Sequence, residues 1–204
     1  MPYKEEARQA LWKSFRMAQA LDAGVTWAAD FQFHQSEDKR VIKLLNIVCK
    51  YDQRWLTSRA ARYIDALRVT ATLDSLVAEN GAPVYLCVDH GPEFIAGLLA
   101  DWCAAMGVEL HFTEPGSLRQ KGVVEALNGR VRDEHLNGKL FLDATEAQAI
   151  FDHLRVDDNA NRRHISLGYL TPAEFREPGT IEQLQVLAGA AKYKGWAPPQ
   201  LRAA

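Results

Sequence analysis

The chain has 204 residues, 48% apolar and 25% charged, with 24 basic against 26 acidic side chains. This is the composition of an ordinary globular protein, and a net charge of −2 excludes nucleic-acid binding driven by overall charge, though not by a local basic surface. No apolar run approaches the roughly 20 residues that span a bilayer, the N-terminus MPYKEEARQALWKSF lacks a signal peptide's apolar stretch, and Cys49, Cys87 and Cys103 form no C-x-x-C pair, so the expectation is a cytoplasmic protein with reduced thiols and no membrane partner.

Residues 4–22 have helical spacing through Ala7, Leu11, Phe15, Ala18 and Leu21. WAADFQFH (27–34) reads as a strand, SEDK (36–39) as a polar turn and VIKLLNIVC (41–49) as a second strand rich in β-branched residues. WLTSRAARY (55–63) is read as a third, antiparallel strand. A helix over 66–80 stops at Gly81, PVYLCVD (83–89) is a short buried strand, and a helix from Pro92 ends at Gly107. VELHF (108–112) is a strand, TEPGSLRQKG (113–122) a loop, and VVEALNGRVRDEHLNG a helix, followed by a helix over 145–160 capped by Thr145. Residues 161–204 carry Pro and Gly and read as an irregular tail. Three antiparallel strands followed by alternating helices and strands predict an α/β fold, a mixed five-stranded sheet flanked by helices, of the order shared by ribonuclease H-like nucleases. Trp27, Trp55 and Trp102 are assigned to its core.

Three carboxylates stand out. Asp30 lies within the first strand among apolar neighbours, Asp89 closes the fourth in CVDHGPEF, and Glu125 lies early in a helix, with 35 residues between it and Asp89. Asp89 reads as a helix cap or, more sharply, as a metal ligand at the carboxyl end of a strand, where α/β folds place their chemistry. If the first and fourth strands are neighbours, Asp30 and Asp89 lie side by side and a passing helix can add Glu125. Three converging carboxylates repel one another unless cations bind between them. Hard oxygen donors select Mg²⁺ or Mn²⁺, and two such ions suit phosphodiester chemistry. With 26 acids in the chain, spacing by itself does not single out this trio.

The flanking words do. WAADF, CVDHGPEF, GVVEALNGRVRDEHLN and RRHISLGYLTPAEF (162–175) resemble, in order, the segments of bacterial insertion-sequence transposases with an integrase catalytic core, relatives of retroviral integrases. The resemblance covers Trp27 to Phe175 and includes the 35-residue spacing and a basic residue, Arg132, seven positions after Glu125. It implies a ribonuclease H-like core over 27–160, preceded by a helical segment (1–26) and followed by a tail (161–204). It also implies metal-dependent DNA cleavage and strand transfer during transposition, with Asp30, Asp89 and Glu125 holding two Mg²⁺ or Mn²⁺ ions. The implied partners are DNA, as element ends and target, and further copies of the chain.

Basic side chains near Glu125 are candidates for phosphate contacts: Arg119 and Lys121 before it, Arg130 and Arg132 after it, and Arg162 in the closing segment. Each has an alternative as part of a solvated face. Asn128-Gly129 inside a helix is locally costly, so close DNA approach or tight packing is expected there. His90 stands where the resembling word has Asn, and reads as a metal or phosphate contact or as a surface turn residue. The pattern departs at CKYDQR (49–54), where relatives carry an acid-rich word. Residues 1–26 hold no helix-turn-helix. The first expectation is therefore a strand transferase, aided by a separate helix-turn-helix DNA-binding subunit. The alternative is a truncated, non-catalytic remnant that binds DNA or transposase subunits.

Overall fold

The computed structural model describes residues 26–95, 97–113 and 118–180, with the backbone alone for 118–121. The expected helix over 4–22 and the end of the expected tail lie outside the described residues. Strands β1 (Thr26–Gln35), β2 (Val41–Cys49) and β3 (Trp55–Ala61) form an antiparallel meander. Helix α1 (Ala66–Asn80) crosses to β4 (Tyr85–Val88), and helical residues Pro92–Ile95 (α2) and Gly97–Met106 (α3) cross to β5 (Glu109–Phe112). The spatial order is β3-β2-β1-β4-β5, with β4 parallel to both β1 and β5. Helices α4 (Leu118–Arg130), α5 (Ala144–Asn161) and α6 (Pro172–Phe175) follow among the described residues. This is the ribonuclease H-like arrangement that the element order predicts.

Strand alternation makes the sheet apolar on both faces. Trp27, Ala29, Leu45, Ile47, Leu86 and Val88 pack with Leu73 of α1 and Trp102 of α3. Ala28, Leu44, Val48, Trp55 and Cys87 pack under Val124 and Leu127 of α4 and Phe151 of α5. All three tryptophans assigned to the core are buried, and so are the three cysteines. The outer edge of β3 is capped by carboxamides from α5. Gln148 bonds the Ala60 N–H (2.8 Å) and the Ser58 carbonyl (3.0 Å), and Asn159 bonds both backbone groups of Trp55 (2.8 and 2.9 Å). Side chains thus stand in for a sixth strand and blunt an edge that would otherwise pair with another chain.

Several boundaries differ from expectation for identifiable reasons. β3 stops at Ala61 because Arg62 turns away to donate to Ser36 Oγ (2.5 Å) and the Asp38 carboxylate (3.2 Å). The cap of α5 is Asp143, not Thr145: its Oδ1 accepts from the N–H groups of Thr145 (2.8 Å) and Glu146 (2.9 Å). Part of the expected loop over 113–122 is helix, because α4 begins at Leu118 and runs through Gly122. A glycine there costs helix propensity without imposing a stop. Beyond Arg130, α4 widens into a π turn, Val131–Leu136, closed by Asn137 N–H to the Arg132 carbonyl at 2.8 Å.

Candidate active site

The β1–β4 register pairs Thr26 with Tyr85 and Ala28 with Cys87. Carried on by two residues, it sets Asp30 level with Asp89, which lies one residue past the end of β4. Alternation sends Asp30 to the face that α4 covers, the face of Ala28 and Cys87. Both aspartates are half-buried.

Each aspartate is oriented by its surroundings. Asn128 of α4 donates from Nδ2 to Asp30 Oδ2 (2.7 Å), while its own Oδ1 accepts from Asn46 Nδ2 at 2.7 Å. Asn46, opposite Asp30 on β2, accepts in turn from the Ser58 hydroxyl of β3. Gln32 completes the group by donating to the Asn128 backbone carbonyl (3.0 Å). A buried chain of polar side chains therefore runs from β3 through β2 to α4 and ends on Asp30. Each link satisfies a group that would be costly to bury alone. Asp89 accepts from the Gly91 N–H at 2.8 Å, closing a tight turn. A Cβ on Gly91 would lie 2.9 Å from Asp89 Oδ1, so any larger residue there would push the Asp89 carboxylate aside.

Glu125 is exposed on α4, one turn before Asn128. Among the described residues, no three His, Cys, Asp or Glu side chains are gathered closely enough to hold a metal ion as they stand. Asp30 and Asp89 share one strand-end region, and Glu125 is exposed on the covering helix.

The expected phosphate-contacting residues divide. Arg132 is exposed and has no ion-pair partner among the described residues. Arg130 is paired with Asp158 (3.3 Å), and Arg162 with Asp158 (2.9 Å) and Glu134. Burial lowers the Arg130 pKa and Asp158 opposes that shift, so this arginine is part of the packing between α4 and α5. Asn128 is 8% exposed and its amide is engaged inward, on Asp30 and Asn46. Tight packing does not explain Gly129, since a Cβ there would meet nothing within 4 Å. The side chains of Arg119 and Lys121 lie outside the described residues. His90 is exposed, its ring 5.3 Å from that of Phe112.

The departing word CKYDQR anchors the closing segment. Asp52 is fully buried beside Arg54 (3.8 Å) and Arg176 (3.5 Å). The Tyr51 ring lies 5.5 Å from Phe175. Gln53 accepts from His164 Nδ1–H (2.8 Å) and donates to the Ser166 hydroxyl. Sequence reading missed the polar residues of the strands: Gln32, Lys43, Asn46 and Ser58. The available signal was a polar side chain inside a nearly continuous apolar run, which a buried strand tolerates only where it has a partner.

A mixed sheet in this order, with two aspartates at adjacent strand ends beneath a helix, defines a ribonuclease H-like domain of the integrase type. The HTLV-2 integrase catalytic core, solved in complex with magnesium, has this fold: its TM-score is 0.56 at 14% identity, covering 76% of this chain and 98% of that one. Two sequence profiles described as "Integrase core domain" match residues 21–117 and 106–172. An uncharacterized 31.7 kDa protein of insertion element IS407 from Burkholderia multivorans is 33% identical over 149 residues. An uncharacterized 39.2 kDa protein of insertion element IS476 from Xanthomonas euvesicatoria is 31% identical over 150 residues. The chain belongs to the integrase-core family of insertion-sequence transposases. The matches cover 73% and 74% of this chain and 54% and 43% of those relatives, so the chain spans about half the length of the curated proteins it matches.

Proposed function

We propose that this chain is the catalytic core of a transposase that cleaves DNA and transfers strands with divalent metal ions held by Asp30, Asp89 and Glu125. The observation that carries the reading is the β1–β4 register, which supports two carboxylates acting together beneath the helix that bears the third. The donor set is all carboxylate oxygen, the chemistry that Mg²⁺ and Mn²⁺ favour. Two such ions, when bound, activate the attacking oxygen and neutralise the leaving one in an in-line phosphoryl transfer.

The chain's own residues set the geometry. Asn128, held by Asn46 and Ser58, fixes the rotamer of Asp30. The Gly91 N–H fixes Asp89. Glu125 joins from α4, one turn ahead of Asn128. Arg132, on the π turn, is the described arginine best suited to a DNA phosphate, because its charge has no ion-pair partner among the described residues; Arg119 and Lys121 are proposed to assist it from the start of α4. Arg130 and Arg162 support this surface through Asp158 and Glu134. DNA ends and target are the proposed substrates and additional copies of the chain the proposed partners, with a helix-turn-helix DNA-binding subunit supplying end recognition.

The test is cleavage and joining of DNA carrying the parent element's ends, with Mg²⁺ or Mn²⁺ against a chelator and beside Asp30→Asn. Metal-dependent products lost in the variant are expected. A folded, DNA-bound wild type that gives no products, with an end-binding subunit added, overturns the reading in favour of a non-catalytic remnant.

A further inference from the structure

Lys43 is the third residue of β2, and only 10% of its side chain is exposed. Its ammonium lies over the Phe31 ring, 3.9 Å from the centroid, donates to the Ile64 carbonyl at 3.2 Å and pairs with Glu93 of α2. Beside it, Phe94 is buried and stacks on Phe31 at 4.9 Å. Burying an ion pair there is unfavourable, and an apolar residue of similar length would fill the space at lower cost. Stability does not account for the pair.

Connectivity does. Phe31 follows Asp30 directly, and Glu93 and Phe94 belong to the turn and helix that begin at Asp89. Lys43 therefore touches both aspartate-bearing segments from the sheet face opposite Asn128, and fastens them to the chain leading into α1. We propose that Lys43 is a positioning residue: through Glu93 and the Phe31 ring it holds the Asp89 turn against β1, and so sets where Asp89 sits relative to Asp30. This inference rests on the strand-transfer reading above. It assigns a role to the Glu and Phe that follow Gly91-Pro92, and to a lysine that the sequence offers only as a strand residue.

The experiment compares wild type with Lys43→Met, Glu93→Gln and the double variant. Amide hydrogen exchange over residues 89–95, kcat, DNA affinity and thermal midpoint are measured. Exchange is expected to quicken at least about tenfold in 89–95, and kcat to fall about 10–100-fold as a misplaced reacting group demands. DNA affinity and the thermal midpoint of Lys43→Met should not fall, and the double variant should be no worse than the poorer single one. Unchanged exchange and kcat overturn the proposal, as does a kcat loss matched by a fall in thermal midpoint. Should Lys43→Met fail to fold, Glu93→Gln decides the matter, since its side chain is 22% exposed and tolerates a neutral replacement. A wild type without metal-dependent activity overturns the strand-transfer reading instead. The positioning claim then stands or falls on the exchange of 89–95.

Discussion

Asn128 joins the interior of the protein to its chemistry through one carboxamide. Its nitrogen orients Asp30 and its oxygen satisfies Asn46, so neither end is replaceable by an apolar group. Asn128→Ala is expected to destabilise by about 1–3 kcal/mol, the cost of leaving buried polar groups without their partner, measured by urea unfolding, and to lower strand transfer by loosening Asp30. A loss under about 0.5 kcal/mol, the usual range for surface substitutions, would contradict the network. Asp30, Asp89 and Glu125 are singled out in the sequence because three separate words surround them in order, and the β1–β4 register sets the first two level. The direction in which Asn128 points is not legible there: Leu127 and Asn128 are both buried, and nothing in ALNGR distinguishes an inward amide from one offered to DNA.

Helix α4 shows which sequence signals define an element. Gly122 and Gly129 interrupt its propensity, and a reading by local rules places the first of them in a loop, yet the helix runs through both. Burial of Val124, Leu127 and Val131 against the sheet outweighs the local penalty, which is about 1 kcal/mol per glycine. Because a Cβ at Gly129 meets nothing within 4 Å, Gly129→Ala is expected to raise stability by about 0.5–1 kcal/mol. Thermal unfolding checks this. A variant that is stabilised but binds DNA more weakly would identify Gly129 as a point of close backbone approach. The strands were easier to read, since β-branched and aromatic runs such as VIKLLNIVC suit a sheet buried on both faces. Capping by Asp143 was harder, because Thr145 offers the same signal two residues later and only the turn geometry selects between them.

At the scale of the whole molecule, the β2–β3 turn and the closing segment hold each other across more than a hundred residues. The Gln53–His164 bond spans 111 positions, a pairing that no local pattern reveals and that gives CKYDQR a structural role. His164 faces Gln53, Asp158, Arg130 and Arg162. Burial first, and then Arg130, hold its imidazole below the ordinary histidine range, opposed by Asp158; His135 is lowered likewise, first by burial. A histidine depressed on folding favours the neutral ring in the native state. Its stabilisation is therefore complete above the unfolded value of about 6.5 and is lost as pH falls toward the folded one. The thermal midpoint should drop between roughly pH 7.5 and 5.5, and drop less in His164→Gln; equal drops would contradict this. What joins these scales is the claim that Asp30, Asp89 and Glu125 act as one site although Glu125 stands exposed on its helix. The most direct measurement is Mg²⁺-dependent joining of element-end DNA by Glu125→Gln beside wild type, with fold and DNA affinity measured on the same samples. The account predicts a folded variant that binds DNA as wild type does and joins none; a variant that joins DNA at the wild-type rate would contradict it.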